Sequence, residues 1–323
     1  MSKKSEAMAL VQDVVVALVV VAIVLGSLYV YGGRWPPMVV VESESMQHDD
    51  ELSFISVIDT GDLTLVRTLE NAGRPTTWVE GRETGYQTYS EFGDVIIYHK
   101  NGQGLTTPII HRAIVRIVYN EVGGGFDVPT LDPPVENAVD SFTIEGFRSY
   151  HNGRLEIIDL KIDVRTILNN FNAAGVEPHG GIITKGDHNR EVDQYSLPAW
   201  SGPGPAPPGL SRLVEPVLDG WIVGVARGEI PWFGLIKLWA RGQTANHPAP
   251  LNSGPNLMFS VALLLVAPFL AESIIIEYRN LHPKEEKKGK RRRRGGDEEE
   301  ERQGAISFII STLKNAFTGK VDD

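Results

Sequence analysis

The chain has no cysteine. That excludes disulfides, thiolate-held metals and a cysteine nucleophile, and leaves the redox compartment open. Lysine is scarce in the middle of the chain. Between Pro36 and Pro255 there are 28 Asp and Glu against 16 Lys and Arg, and only four of the latter are Lys. Such a surface repels a phosphate backbone and argues against nucleic acid as a partner. It also suits a salt-adapted organism, in which acidic surfaces keep proteins soluble. There is no HExxH helix, phosphate-binding loop or dinucleotide fingerprint, so no cofactor is expected. No internal repeat at a period of about 20–50 residues is present.

Hydrophobicity is concentrated in two runs. Residues 14–33 are twenty positions without a charge, and at about 1.5 Å per residue a helix of that length crosses a hydrocarbon core of about 30 Å. Tyr29, Tyr31 and Trp35 stand at its far end, where interfacial aromatics belong. A cleavable signal would have an apolar stretch of about 7–15 residues ending in small side chains. This run is longer and ends in Leu28-Tyr29-Val30-Tyr31, so an uncleaved anchor is expected. The second run, 257–276, carries Glu272 near one end and Pro268 within it; a charge near an interface and a proline are both tolerated in a span. Lys3 and Lys4 precede the first run and a basic cluster, 284–294, follows the second. Positive flanks stay in the cytoplasm. The predicted order is a cytoplasmic N-terminus (1–13), an anchor (14–33), an extracytoplasmic domain (34–256), a second span (257–276) and a charged cytoplasmic tail (277–323), all in a cell membrane. In the tail, Ile306, Ile309, Ile310, Leu313 and Phe317 recur at helical spacing, as in a short amphipathic helix on the inner leaflet.

Between the two runs the chain reads as mainly β. Segments 62–67, 94–98 and 109–118 are short, rich in β-branched residues and bounded by Gly, Asn and Pro. Asn101-Gly102 suits a turn between two of them. Segment 163–174 predicts a short helix stopping at Gly175. Residues 120–181 read as an insertion leaving the core, and 198–208 as a proline-rich loop.

A serine hydroxyl is a weak nucleophile until a neighbouring base takes its proton. Ser45 lies twelve residues past Gly33, in Val40-Val41-Glu42-Ser43-Glu44-Ser45-Met46. The candidate bases are His99, expected in solvent beside a turn, and His111, inside the strand Ile109-Ile110-His111-Arg112-Ala113-Ile114. Asp187 and Asp193 are the candidate carboxylates to hold the far side of an imidazole. Singly, each has an ordinary structural reading; aspartates in turns commonly bond their own backbone.

In order and spacing these segments resemble type I signal peptidases of the archaeal and endoplasmic-reticulum branch. Ser43-Glu44-Ser45-Met46, close behind an anchor, resembles the Ser-x-Ser-Met box. Phe92-Gly93-Asp94-Val95-Ile96-Ile97 resembles the Gly-Asp strand, and Ile110-His111-Arg112 the box in which this branch has His where the bacterial branch has Lys. Thr184-Lys185-Gly186-Asp187-His188-Asn189, with Asp193 beyond it, resembles the Lys-Gly-Asp-Asn-Asn box. The matches run along nearly the whole domain. Two positions depart: His48 stands where a proline is common, and His188 replaces the first Asn.

The resemblance implies a signal-peptidase-like β-fold and a serine endopeptidase that removes signal peptides from exported preproteins. Ser45 is then the nucleophile, His111 the general base and acid, Asp193 the acid orienting the histidine and Asp187 a supporting acid. Ser43 and the Ser45 N–H would line an oxyanion hole. The implied partners are secretory preproteins, the lipid bilayer and the export machinery. Substrates would carry small residues one and three positions before the cut and lie as an extended strand, with 39–41 and 92–97 as expected neighbours. Two rival readings are a different serine hydrolase and a non-catalytic β-domain that scaffolds secreted proteins. The scaffold reading would be favoured by Ser45 and His111 lying beyond roughly 6–7 Å of each other, about twice hydrogen-bond reach.

Overall fold

The structure, a computed structural model, describes residues 3–151, 153–195, 213–243 and 248–281. The 198–208 loop and the tail from 282 onward, with its expected amphipathic helix, lie outside the described residues. Two compact units are distinguished, Met1–Leu257 and Met258–Asp323. Helix α1 (Lys3–Gly32) has 30 residues and α6 (Ser253–Leu281) has 29. Each holds a stretch long and apolar enough to cross a membrane, Val14–Gly32 and Ser253–Tyr278, and neither stretch is buried. Both helices extend past the apolar runs read from the sequence, because a nucleated helix propagates through any residues that do not break it.

The remaining helices are short: α2 (Leu69–Ala72), α3 (Trp78–Thr84), α4 (Val164–Ala174) and α5 (Leu235–Arg241). Among the described residues the fold is therefore mixed α/β, about 37% helix and 29% strand, so a mainly β content is not clearly shown. The difference comes from the two long helices, which outweigh a strand-rich middle. In that middle, α4 forms where 163–174 predicts it. The Asp163 side chain accepts from the Thr166 N–H at 3.0 Å, and Gly175 closes the last turn in the left-handed conformation open to glycine.

The strands are β1 (Met38–Val40), β2 (Leu63–Arg67), β3 (Gln87–Thr88), β4 (Glu91–Phe92), β5 (Val95–Tyr98), β6 (Ile109–Asn120), β7 (Gly125–Val128), β8 (Val135–Ala138), β9 (Ser141–His151), β10 (Arg154–Asp163), β11 (Gly181–Lys185) and β12 (Ile222–Ile230). Eight of them form one antiparallel sheet in the order β1-β2-β12-β5-β6-β7-β8, with β11 also on β6. β9 and β10 form a separate ribbon, and β3 and β4 a small hairpin. β1, which follows the anchor, is thus an edge strand. On β6, β11 covers only Arg112–Ile117, so on that side the backbone of Ile109, Ile110 and His111 has no strand beside it among the described residues.

Residues 120–181 are not an excursion from the core. They form β7 to β10 and α4 and bury Phe126, Phe142, Phe147 and Phe171 in one cluster with Trp78 and Ile114. Four such side chains contribute about 6–12 kcal/mol of gross burial energy, comparable to the whole net stability of a domain. The segment is part of the fold.

A buried acid cluster makes that fold pH-dependent. Asp59 and Asp62 are each 1% exposed, and Glu229 is half-buried. Burial, opposed by Ser53 and reinforced by the charges of Asp62 and Glu229, pushes Asp59 up to about 8. Burial also raises Asp62 to about 6 and Glu229 to about 7. In the unfolded chain these carboxyls ionise near about 4. Between those values and about 8 the folded state holds more protons at these three groups, so their contribution to stability is complete below about pH 4 and is lost as pH rises towards 8. Asp59→Asn removes the largest part of that slope. Its gain in melting temperature is expected to be greater at pH 9 than at pH 5 by about 4 °C, the equivalent of about 1–2 kcal/mol in a domain of this size. Equal gains at both pH values, measured by calorimetry, would refute the assignment.

Candidate active site

β6 carries the site because successive strand residues point to opposite faces. His111 and Arg112 are adjacent, so one faces the serine cleft and the other the interior, where Arg112 is fully buried. β5 flanks this strand on one side, with Ile96 opposite His111. β11 flanks it on the other, with Thr184 opposite Ala113 and Lys185 opposite Arg112 after a bulge at Ile183/Thr184.

Ser45 reaches the same place from the edge strand. After β1 the chain makes one 3-10 turn, Glu44–Met46, with Ser43 extended in front of it. Met46 plugs the turn into a core with Val41, Ile58 and Ile97. Gly186 crosses directly over this turn; a Cβ there would lie 2.4 Å from the Ser45 carbonyl oxygen, so no larger residue fits. The His188 N–H then donates to that same oxygen at 3.0 Å.

Three of the sequence-predicted residues come together in a line. Ser45 Oγ is 2.8 Å from His111 Nε2, and His111 Nδ1 is 2.6 Å from Asp193 Oδ2. Ser43 Oγ lies 3.1 Å from Ser45 Oγ. His99 lies outside this constellation; it closes β5, and its N–H donates to the Trp221 carbonyl at 2.9 Å.

A fixed hydrogen-bond chain sets the polarity around Asp193. The Thr184 N–H donates to Gln194 Oε1 at 3.1 Å, which leaves Gln194 Nε2 to donate to Thr184 Oγ1 at 3.3 Å. The Thr184 hydroxyl therefore turns its proton to Asp193 Oδ2 at 2.7 Å, and the Tyr98 hydroxyl adds a second donor at 3.0 Å. Burial first, and then the Asp193 carboxylate, push the Tyr98 hydroxyl well above its ordinary value, so it remains a donor. With three donors converging on one oxygen, His111 carries its proton on Nδ1 and presents a bare Nε2 to the serine.

Asp187 does not touch His111. It accepts two bonds from Arg112, Nε to Oδ1 at 2.8 Å and Nη2 to Oδ2 at 2.6 Å, and it pairs with His48 Nε2 at 3.0 Å. Burial favours the neutral acid here, but the Arg112 charge and its bonds prevail and hold the Asp187 carboxyl well below the usual range. Arg112 Nη1 donates in turn to the carbonyls of Thr88, Phe92 and Gly93 at 3.1–3.2 Å. Lys185 is buried beside them; burial pushes its ammonium down to about 8 against the pull of Asp187 and Asp193. Its Nζ donates to the Gly186 carbonyl at 3.1 Å.

A cleft of about 850 Å³ opens on Ser45. Met38, Val39 and Val40 of the edge strand line it, with Ile97, Thr107, Pro108, Ile109 and Ile110 across from them. Of the expected substrate neighbours, Val39, Val40 and Ile97 face this cleft, whereas Val41 is buried in the core. Sequence reading missed Tyr98, Thr184, Gln194 and Arg112. Arg112 left a signal, since a charge inside an apolar strand demands a buried carboxylate. Among the described residues, no group of three or more His, Cys, Asp or Glu is placed to hold a metal. Compared with protein-family models and with curated proteins, the chain matches none.

Proposed function

We propose that this chain is a membrane-anchored serine endopeptidase of the signal-peptidase type, which cuts exported preproteins behind their signal peptides. The observation that carries the reading is the Ser45–His111–Asp193 line, with spacings of 2.8 and 2.6 Å. His111 Nε2 takes the Ser45 proton as Oγ attacks the scissile carbonyl carbon. The imidazolium formed is stabilised by Asp193. The oxyanion of the tetrahedral intermediate is met by the Ser43 hydroxyl and the Ser45 N–H, donors of a kind worth about 2.7–4 kcal/mol each. His111 then gives its proton to the leaving amine as the C–N bond breaks, and the same pair activates water to release the acyl group.

The cleft supports an extended substrate. It runs between two backbone stretches that, among the described residues, have no strand partner on their cleft sides, β1 at the sheet edge and Ile109–His111, and either can accept a strand. Its apolar walls fit the small side chains expected before the cut. The β part between the long helices is read as the family's catalytic fold. The two unburied apolar helices support a bilayer location, since a helix apolar on all sides is otherwise found only in a large core. Exposed Leu52, Phe54 and Ile55, and Ile236 and Trp239 of α5, give the catalytic unit apolar side chains suited to a lipid surface. The basic flanks 3–4 and 284–294 support a topology with both termini inside and the catalytic unit outside.

The test is a set of substrates offered to the full chain in detergent or liposomes. A preprotein with Ala one and three positions before the cut is expected to be cleaved at one bond. The same preprotein with a bulky residue at the first of those positions should be cleaved at least about tenfold more slowly, the effect of about 1.4 kcal/mol. Hydrolysis of lipid esters without preprotein cleavage would point to another hydrolase, and tight binding without cleavage to a scaffold.

A further inference from the structure

The ribbon of β9 and β10, for which the sequence offers no task, reaches back to the loop just after the nucleophile. Tyr150 of β9 lays its ring flat on His48, with ring centres 3.5 Å apart and planes within 8°. The ribbon turn touches the same loop: a Cβ on Gly153 would lie 2.4 Å from Asp49 Oδ2. Tyr150 is itself anchored, since its hydroxyl donates to Glu91 Oε2 at 3.2 Å, and Glu91 is 1% exposed.

His48 sits between that ring and the Asp187 carboxylate, with its Nε2 3.0 Å from Oδ2. Asp187 belongs to the loop that crosses Ser45, and the next residue along it holds the Ser45 carbonyl through the His188 N–H at 3.0 Å. A further link, His188 Nε2 to Asp50 Oδ1 at 3.7 Å, joins the same two loops. The nucleophile turn and the aspartate loop are thus cross-linked on the side away from the cleft. Neither His48 nor Tyr150 lines the cleft or touches the reacting atoms.

The geometry points to His48 and Tyr150 as positioning residues for Ser45, forming a clasp whose outer jaw is the β9–β10 ribbon. The clasp presses His48 onto Asp187, fixes the aspartate loop and so holds the Ser45 backbone at the distance His111 requires. This rests on the peptidase reading, but its physical content, the restraint of the Ser45–His188 contact, does not. A histidine in place of the family's proline after the serine box then has a reason: it supplies the flat, hydrogen-bonding surface that a ribbon tyrosine can clamp.

The test uses the full-length chain with His48→Ala, Tyr150→Ala, Tyr150→Leu and Tyr150→Phe. Three quantities are measured: kcat and KM on a preprotein, the rate at which a small phosphonate labels Ser45, and hydrogen exchange at the His188 amide. Misplacement of reacting groups by a distant change costs up to about 100-fold in rate. His48→Ala and Tyr150→Ala are expected to lower kcat and the labelling rate by about 10- to 100-fold with KM unchanged, and to speed His188 exchange at least tenfold. Tyr150→Phe, which keeps the stacked ring, should stay within about twofold of the parent, while Tyr150→Leu, which fills the space without a flat face, should behave like Tyr150→Ala even if the alanine variant folds poorly. Wild-type labelling in Tyr150→Leu, or Tyr150→Phe as slow as Tyr150→Leu, would overturn the clasp. If the unmodified chain neither labelled nor cleaved, the peptidase reading would fall; the His188 exchange of the same variants would still decide the restraint by itself.

Discussion

Replacing Ser45 or His111 with alanine is expected to lower the rate constant for preprotein cleavage by about 10⁶-fold, and replacing both to cost no more than either alone, because in the proposed mechanism nucleophile and base act as one unit. Asp193→Ala is less severe, at about 10⁴-fold. Asp193→Asn is the informative variant. In a Ser-His-Asp site an amide in this position usually drives the imidazole into the wrong tautomer, with a loss of about 10⁴-fold. Here Thr184 is forced by Gln194 to donate to Oδ2, and Tyr98 donates to the same oxygen. An asparagine therefore turns its carbonyl to that position, the Nδ1 proton of His111 stays in place, and only the negative charge is lost. The expected fall is about 100-fold, or about 2.7 kcal/mol of barrier. Thr184→Val in the asparagine background frees the amide to flip and brings the loss to about 10⁴-fold. Single-turnover cleavage with melting temperatures held in view measures all of these. Undiminished processing by Ser45→Ala would sink the peptidase reading, and undiminished processing by Asp193→Ala would sink the orienting role of that acid.

How far the sequence carried this site follows from what a motif records. Ser45, His111 and Asp193, which the structure brings into one line, are legible because a Ser-His-Asp site would restrict each to one residue type at a fixed place along a strand or turn. The division of labour between Asp187 and Asp193 rests on the resemblance and is not legible in the residues themselves, since both occupy the same polar turn six residues apart. It depends on the bulge after Ile183 and on the turn at Asp193–Tyr195, which return Asp193 to Tyr98 while Asp187 stays over Arg112. The strands 62–67, 94–98 and 109–118 and the helix before Gly175 show their own periodicity, and the structure forms β2, β5, β6 and α4 there. The segment 120–181 does not, because its glycine triplet and Pro-rich stretch hide core positions spread thinly along β7 to β10. The mainly β expectation described the segment between the two apolar runs, and the 30- and 29-residue helices that flank it bring the described residues to a mixed content.

Asp187→Ala is expected to cost stability where Asp193→Ala costs rate. Removing Asp187 leaves the Arg112 guanidinium fully buried, with backbone carbonyls still around Nη1 and no ion-pair partner, the charge of Glu91 still favouring it. Breaking a buried pair from one side costs about 3–5 kcal/mol, which in a domain of this size lowers the melting temperature by about 10 °C. Substituting both partners, Arg112→Met with Asp187→Ala, should recover part of that loss, because a buried pair exchanged for apolar side chains is often near neutral. The pH dependence has the opposite sign to that of Asp59. The Asp187 carboxyl is held below its unfolded value, so its contribution is complete above about pH 4 and is lost as pH falls through the folded value in strong acid. Asp187→Ala should therefore flatten the acid limb of a stability profile whose alkaline limb belongs to Asp59, Asp62 and Glu229. If Asp187→Ala instead melted like the parent while losing activity as Asp193→Ala does, Asp187 would belong to the chemistry, and the line from Ser45 through His111 to Asp193 would be incomplete.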